Sequence, residues 1–231
     1  MSDPLRIALV GATGLVGREA IALSVGREDV RLTGLARREV PLPRGARMEM
    51  FVAEPGRWGE VLEAVRPSAL ICALGTTWRK AGEDEDAFRA VDRDLVLETA
   101  RAAREHGVER MVAISSAGAS LAARAFYLRV KAEMERDLAK VGFRRLDLLR
   151  PGLLRGARDG DRRRAERIGI ALSPVTDLLL HGSWRCYRSI PARTVAEAAL
   201  ALAMRRAGGR FRHDNDAIRR AARELPQPLP A

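Results

Sequence analysis

Tyrosine and lysine are scarce in this 231-residue chain, with two and three copies, yet one of each stands four residues apart in "FYLRVKAEM" as Tyr127 and Lys131. Residues at that spacing are neighbours on a helix face, but an exposed pair there adds only tenths of a kcal/mol to a helix. The spacing therefore points to chemistry. Reduction of a carbonyl by hydride needs a proton donor to the developing alkoxide and a hydrogen bond that holds the oxygen. A phenol supplies the proton, and an ammonium beside it favours the phenolate, which tunes the group toward neutral conditions. A hydroxyl for the second task ends the apolar run "RMVAISS" as Ser116, eleven residues before Tyr127. Ser116, Tyr127 and Lys131 are thus the candidate catalytic residues. Chance produces a Y-x-x-x-K in a chain of this make-up roughly 3% of the time, so the pair counts as a signal only with its surroundings.

Hydride chemistry needs a dinucleotide, and "GATGLVG" offers a place for one at a strand-to-helix turn. Gly11 permits the tight turn, Gly14 lets backbone approach a pyrophosphate, and Gly17 lets the helix pack close to the sheet. The free N–H groups at the helix start face the phosphates. Thr13, Leu15 and Val16 complete this candidate cofactor turn. Its spacing is G-x-x-G-x-x-G rather than G-x-G-x-x-G, and a purely structural glycine turn stays open at this level. An NAD site usually shows an acidic residue about 20 residues after the glycines, whereas a 2′-phosphate calls for arginine. Here the second strand ends in Arg37 and Arg38, whose guanidinium forks match phosphate geometry, so NADP is favoured over NAD. A solvated role for the two arginines is the alternative in so arginine-rich a chain. In "CALGTT", Gly75 and Thr76, with Leu74 before them, can pass under an adenine or ribose without a bulky side chain intruding. Trp78 in the following loop either covers the cofactor or packs.

The elements that must position these residues alternate along the chain. "LRIALVGA", "DVRLTGLA", "RMEMFVA", "SALICALG", "RMVAISS" and "RRLDLLRPG" read as strands. Helical periodicity runs through "TGLVGREAIALSV", "WGEVLEAVR", "DAFRAVDRDLVLETARAAREHG" and "AFYLRVKAEMERDLAKVG", with Gly107 as a helix stop. This order predicts an α/β fold: a doubly wound, Rossmann-like parallel sheet with helices on both faces, ligands binding at the carboxyl ends of its strands. At this length the expectation is a single domain over 1–231. Residues 152–223, where the alternation weakens, are expected to form a small C-terminal substrate-side lobe, and 224–231, with three prolines, a loose tail.

Composition narrows the function classes. The net charge of +11 would suit a polyanion, but the arginines are spread along the chain and aromatic residues are only 4%, which leaves little material for stacking on bases. Nucleic-acid binding is therefore disfavoured as the main role. No apolar run approaches the roughly 18 residues of a membrane helix, and no secretory signal pattern opens the chain, so a cytoplasmic location is expected. Cys72 and Cys186 have no metal-ligand spacing, and His106, His181 and His213 form no metal-binding array, so no metal is assigned. Cys72, within an apolar run, is expected to be a buried thiol.

Together the glycine turn, "SS", "YLRVK" and "RPG" resemble the short-chain dehydrogenase/reductases. "CALGTTWRKAG", "VDRDLVL" and "YLRVKAEME" are similar in particular to the atypical subgroup typified by the Tat-interacting oxidoreductases; the likeness covers residues 5–156. It implies a Ser116, Tyr127, Lys131 triad around the nicotinamide. It also implies cofactor contacts from the glycine turn, Arg37, Arg38, Leu74, Gly75, Thr76, Tyr127, Lys131, Pro151, Leu154 and Arg162. Two departures stand out: Asp92 in "VDRD", where extended members usually carry Asn, and a C-terminal region too short for a nucleotide-sugar epimerase lobe. The expected function is an NADP(H)-dependent oxidoreductase acting on a small carbonyl or its alcohol. The alternative is a noncatalytic NADP-binding module that acts through a protein partner.

Overall fold

The computed structural model describes residues 3–156 and 187–227, so Arg162, His181 and Cys186 lie outside the described residues. Seven strands form one sheet: β1 (Leu5–Val10), β2 (Val30–Ala36), β3 (Glu49–Val52), β4 (Ala69–Cys72), β5 (Arg110–Ile114), β6 (Arg145–Leu149) and β9 (Gly209–His213). Their order is β3-β2-β1-β4-β5-β6-β9, and every pairing is parallel. Two short strands, β7 (Leu154–Arg155) and β8 (Ile190–Pro191), pair separately. This is the doubly wound parallel architecture that the alternation of elements predicts.

The central strands β1, β4, β5 and β6 read as largely apolar runs because both faces of the sheet are covered there. Ile7, Ala8, Leu9 and Val10 are all fully buried, yet their side chains part company. Ile7 and Leu9 join a core with α1 (Leu15–Ser24), α6 (Ala192–Met204) and α7 (Asn215–Arg223). Ala8 and Val10 join a second core with α2 (Trp58–Val65), α4 (Leu95–Glu105) and α5 (Phe126–Leu138). The alanine-rich α6 buries nine residues; of these, Val195, Leu200 and Leu202 each contribute about 1.5–3 kcal/mol by leaving water.

The long helix expected over residues 86–107 is interrupted. A short α3 (Glu85–Arg89) runs into a π-helical turn over Ala90–Asp94 before α4 begins. At its far end Gly107 adopts φ +84° and Val108 N–H bonds back to the Ala103 carbonyl at 2.9 Å, the backbone form of the expected stop. The strand β9 has no counterpart among the strands read from the sequence. It lies at the sheet edge with Arg210, Phe211 and Arg212 exposed, and so carries no apolar run.

The sheet order reverses between β1 and β4. Chain order runs outward to β2 and β3 on one side and to β5, β6 and β9 on the other, which makes a crevice at the carboxyl ends of β1 and β4.

Candidate active site

The glycine turn closes directly onto the end of β4. A Cβ on Gly11 would stand 2.4 Å from the Ala73 backbone, and its φ of +85° already requires glycine. A Cβ on Gly17 would meet the Gly11 carbonyl oxygen at 2.3 Å, so α1 starts as close to the turn as backbone allows. Gly14 is the N-cap of α1; no side chain caps the helix and no acidic residue occupies its first turn. Thr13 and Gly14 are exposed while Val16 is packed into the core, so only its backbone can serve a ligand. Glycine backbone, uncapped N–H groups and the absence of a competing carboxylate fit a pyrophosphate.

The other cofactor candidates border this crevice. Leu74 and Gly75 follow β4 after the single residue Ala73. Leu154 on β7 packs against the same core as Leu15, and a Cβ on Gly156 would lie 3.2 Å from Leu15, so the chain beyond β6 passes over the start of α1. Pro151 is buried, and its carbonyl accepts the Ala117 N–H at 2.8 Å, stitching the loop after β5 to the end of β6. Arg37 and Arg38 are exposed just past β2, and among the described residues no carboxylate pairs with either.

At the catalytic candidates the structure adds a residue. Lys131 points inward from α5, its Nζ 2.8 Å from Asp92 Oδ1 and donating to the Ile114 carbonyl at 3.3 Å. The other carboxylate oxygen of Asp92 accepts the Thr76 N–H at 2.7 Å. Asp92 is 1% exposed and Lys131 8%, so the pair is a true buried ion pair. It ties together the loop after β4, the π-helical turn and α5. A Cβ on Gly75 would lie 3.4 Å from the Asp92 carboxylate and 3.9 Å from the ammonium, so bare glycine backbone covers the pair. Sequence reasoning registered Asp92 as a departure but not as the partner of Lys131. The available signal was a charge on the inward face of a helix, four residues after buried Phe88 and four before buried Val96.

Ser116 is half-buried, and its hydroxyl donates to the Ala117 carbonyl at 3.3 Å, a long bond that leaves it easily recruited. Tyr127 opens α5 one turn before Lys131 and is 45% exposed. Among the described residues no hydrogen bond joins its hydroxyl to Ser116 or Lys131. One further turn along α5, buried Glu135 accepts from Ser115 Oγ at 2.5 Å and from Arg150 Nε at 2.8 Å, which fixes the end of β5 against β6. Trp78 packs against Phe88 and Phe126, with ring centroids 6.3 and 5.9 Å away. Cys72 is buried behind the site, and desolvation pushes its thiol up to about 11. His213 pairs with Asp147 at 2.8 Å, and His106 caps the end of α4.

A family described as NAD(P)H-binding matches residues 11–203 of this chain. Among curated proteins, the mitochondrial protein fmp52 of Emericella nidulans is 34% identical over 163 residues, which cover 68% of this chain and 70% of the relative. FMP52 of Candida albicans, also named mitochondrial, is 28% identical over 211 residues, covering 88% and 90%. Among solved structures, MoeE5 in complex with UDP-glucose and NAD superposes with a TM-score of 0.68 at 16% identity, covering 92% of this chain and 75% of that one. A UDP-glucose 4-epimerase of Thermotoga maritima gives 0.68 at 13%, covering 91% and 77%. At these identities the structures speak for the fold alone. The mitochondrial names of the sequence relatives overturn the cytoplasmic location expected from the N-terminal residues.

Proposed function

Because the chain belongs to the NAD(P)H-binding family, we propose that it is an NADP(H)-dependent oxidoreductase of the short-chain dehydrogenase/reductase type. It acts on a small carbonyl compound or the corresponding alcohol. The observation that carries this reading is the inward ammonium of Lys131. It is held at the crevice beside Gly75 and Thr76, at the end of the strand that leads to Ser116.

Hydride exchange with the substrate carbon is the chemistry that the dinucleotide supplies. The chain does the rest. Backbone N–H groups at the start of α1 hold the diphosphate, and Arg37 and Arg38 take the 2′-phosphate that distinguishes NADP. Lys131 uses two of its three N–H donors on Asp92 and Ile114 and keeps one for a cofactor hydroxyl. Tyr127 gives a proton to the developing alkoxide, and Ser116 holds that oxygen by a hydrogen bond that strengthens as charge develops. Gly75 puts no side chain between a ligand and the ammonium. Asp92 keeps Lys131 from swinging away and offsets part of its charge. The whole chain works as one unit: β9, α6 and α7 complete the sheet and its core, while the segments around β7 and β8 lend the substrate side.

The offset charge on Lys131 is what favours the second reading, a cofactor-dependent binding module without turnover. Incubation of purified protein with NADPH and a panel of aldehydes and ketones, followed by loss of reduced-nicotinamide absorbance, separates the two. Turnover supports the oxidoreductase, whereas tight NADPH retention with no turnover on any member of the panel defeats it.

A further inference from the structure

The second tyrosine of the chain also stands at this site. Ser116 to Ala119 form a tight turn closed by the Ala119 N–H on the Ser116 carbonyl at 3.2 Å, with Gly118 at φ +78°. The side of Gly118 where a Cβ would project is filled by Tyr187. That Cβ would lie 2.9 Å from the phenolic oxygen and 3.1 Å from a ring carbon. The ring is therefore seated on glycine backbone two residues from Ser116.

Its backbone is clamped from below. Asn215, 1% exposed, accepts the Gly152 N–H at 2.9 Å through Oδ1 and donates through Nδ2 to the Arg188 carbonyl. A Cβ on Gly152 would stand 2.2 Å from that same carbonyl, so the chain leaving β6 and the chain arriving at β8 touch backbone to backbone. Tyr187 is thus fixed where the substrate side meets the catalytic turn, and it is still 43% exposed. On the two segments that meet at Tyr187, Leu121 lies three residues past Gly118 and Leu153 next to Gly152, and both side chains are exposed, at 53% and 65%. Exposed apolar side chains on both of these segments offer a surface for an apolar group.

We infer that Tyr187 is a specificity-determining residue, and that the substrate carries an apolar, ring-sized group next to its reducible carbon. That group packs against the Tyr187 ring while the carbonyl faces Ser116 and Tyr127. The inference rests on the oxidoreductase reading.

The test compares benzaldehyde with propanal, both with NADPH, in the wild-type protein, Tyr187→Ala and Tyr187→Phe. NADPH binding serves as the check that each variant is folded. The ratio of kcat/KM for benzaldehyde over propanal exceeds one in the wild type, falls about tenfold in Tyr187→Ala through a rise in the benzaldehyde KM, and returns in Tyr187→Phe, which keeps the ring. An unchanged ratio across the three proteins, or a wild type that prefers propanal, overturns the role of Tyr187 and leaves the oxidoreductase reading intact. Failure of the NADPH-loaded wild type to reduce any carbonyl overturns both.

Discussion

Removing the charge of Asp92 while keeping its shape tests how the site is built. In Asp92→Asn, Lys131 keeps its buried position but loses its counter-ion 2.8 Å away. At that distance the bare attraction is about 6 kcal/mol for an effective dielectric near 20, most of it offset by the cost of taking both charges out of water. Breaking a buried pair from one side leaves that cost without the gain and typically destabilises by about 3–5 kcal/mol. The Thr76 N–H and the ammonium must also share a single acceptor oxygen in the asparagine variant. We expect a loss of about 3–4 kcal/mol and a fall in Tm on the order of 10 °C. Urea unfolding of the cofactor-free protein reads it as a lower midpoint at unchanged slope. Lys131→Met alone should cost a similar amount by stranding Asp92, whereas the double variant should fall short of the sum by about 2 kcal/mol or more. A loss under about 1 kcal/mol for Asp92→Asn, or additive effects in the double variant, refutes the buried pair as the organising contact.

Two other outcomes follow from charges at the surface of the fold. Replacing Arg37 and Arg38 together by alanine should weaken NADPH about tenfold to a hundredfold in a fluorescence titration and leave NADH within about twofold, because only the 2′-phosphate loses its charge-assisted bonds; equal weakening of both cofactors argues against the assignment. Hydrogen bonds from Arg136, and then from Arg93 and Lys140, hold the Asp137 carboxyl well below its ordinary 3.8 against the opposing effect of burial. The stability it contributes is fully present above that ordinary value and drains away as pH falls below it toward the depressed native value. Asp137→Asn should cost about 1 kcal/mol at neutral pH and flatten the acid side of the stability profile; a profile that keeps its slope contradicts this.

The sheet was legible because burial on both faces leaves an uninterrupted apolar signature, as in β1, β4 and β5, and glycines punctuate the turns. Gly11 and Gly17 were readable as such punctuation, since a Cβ there would stand 2.4 and 2.3 Å from backbone atoms, which admits no other residue. What escaped were features set by partners far along the chain. Lys131 and Asp92 are separated by 39 positions, so the spacing that puts Asp92 on the inward face between Phe88 and Val96 does not name its partner. Tyr187 reaches the catalytic turn only because Gly152 and Asn215 bring two distant segments together. Strand β9 escaped because an edge strand with arginines on it carries neither an apolar run nor a hairpin signal.

The proton donor is the core of the account, so the most direct measurement is the turnover of Tyr127→Phe beside wild type, with NADPH affinity measured on the same samples. We expect kcat to fall about 10²- to 10⁴-fold while the NADPH Kd moves less than about twofold, the ring and its place at the start of α5 being retained. A variant that reduces its carbonyl substrate at the wild-type rate would contradict the assignment of Tyr127 and the mechanism built on it.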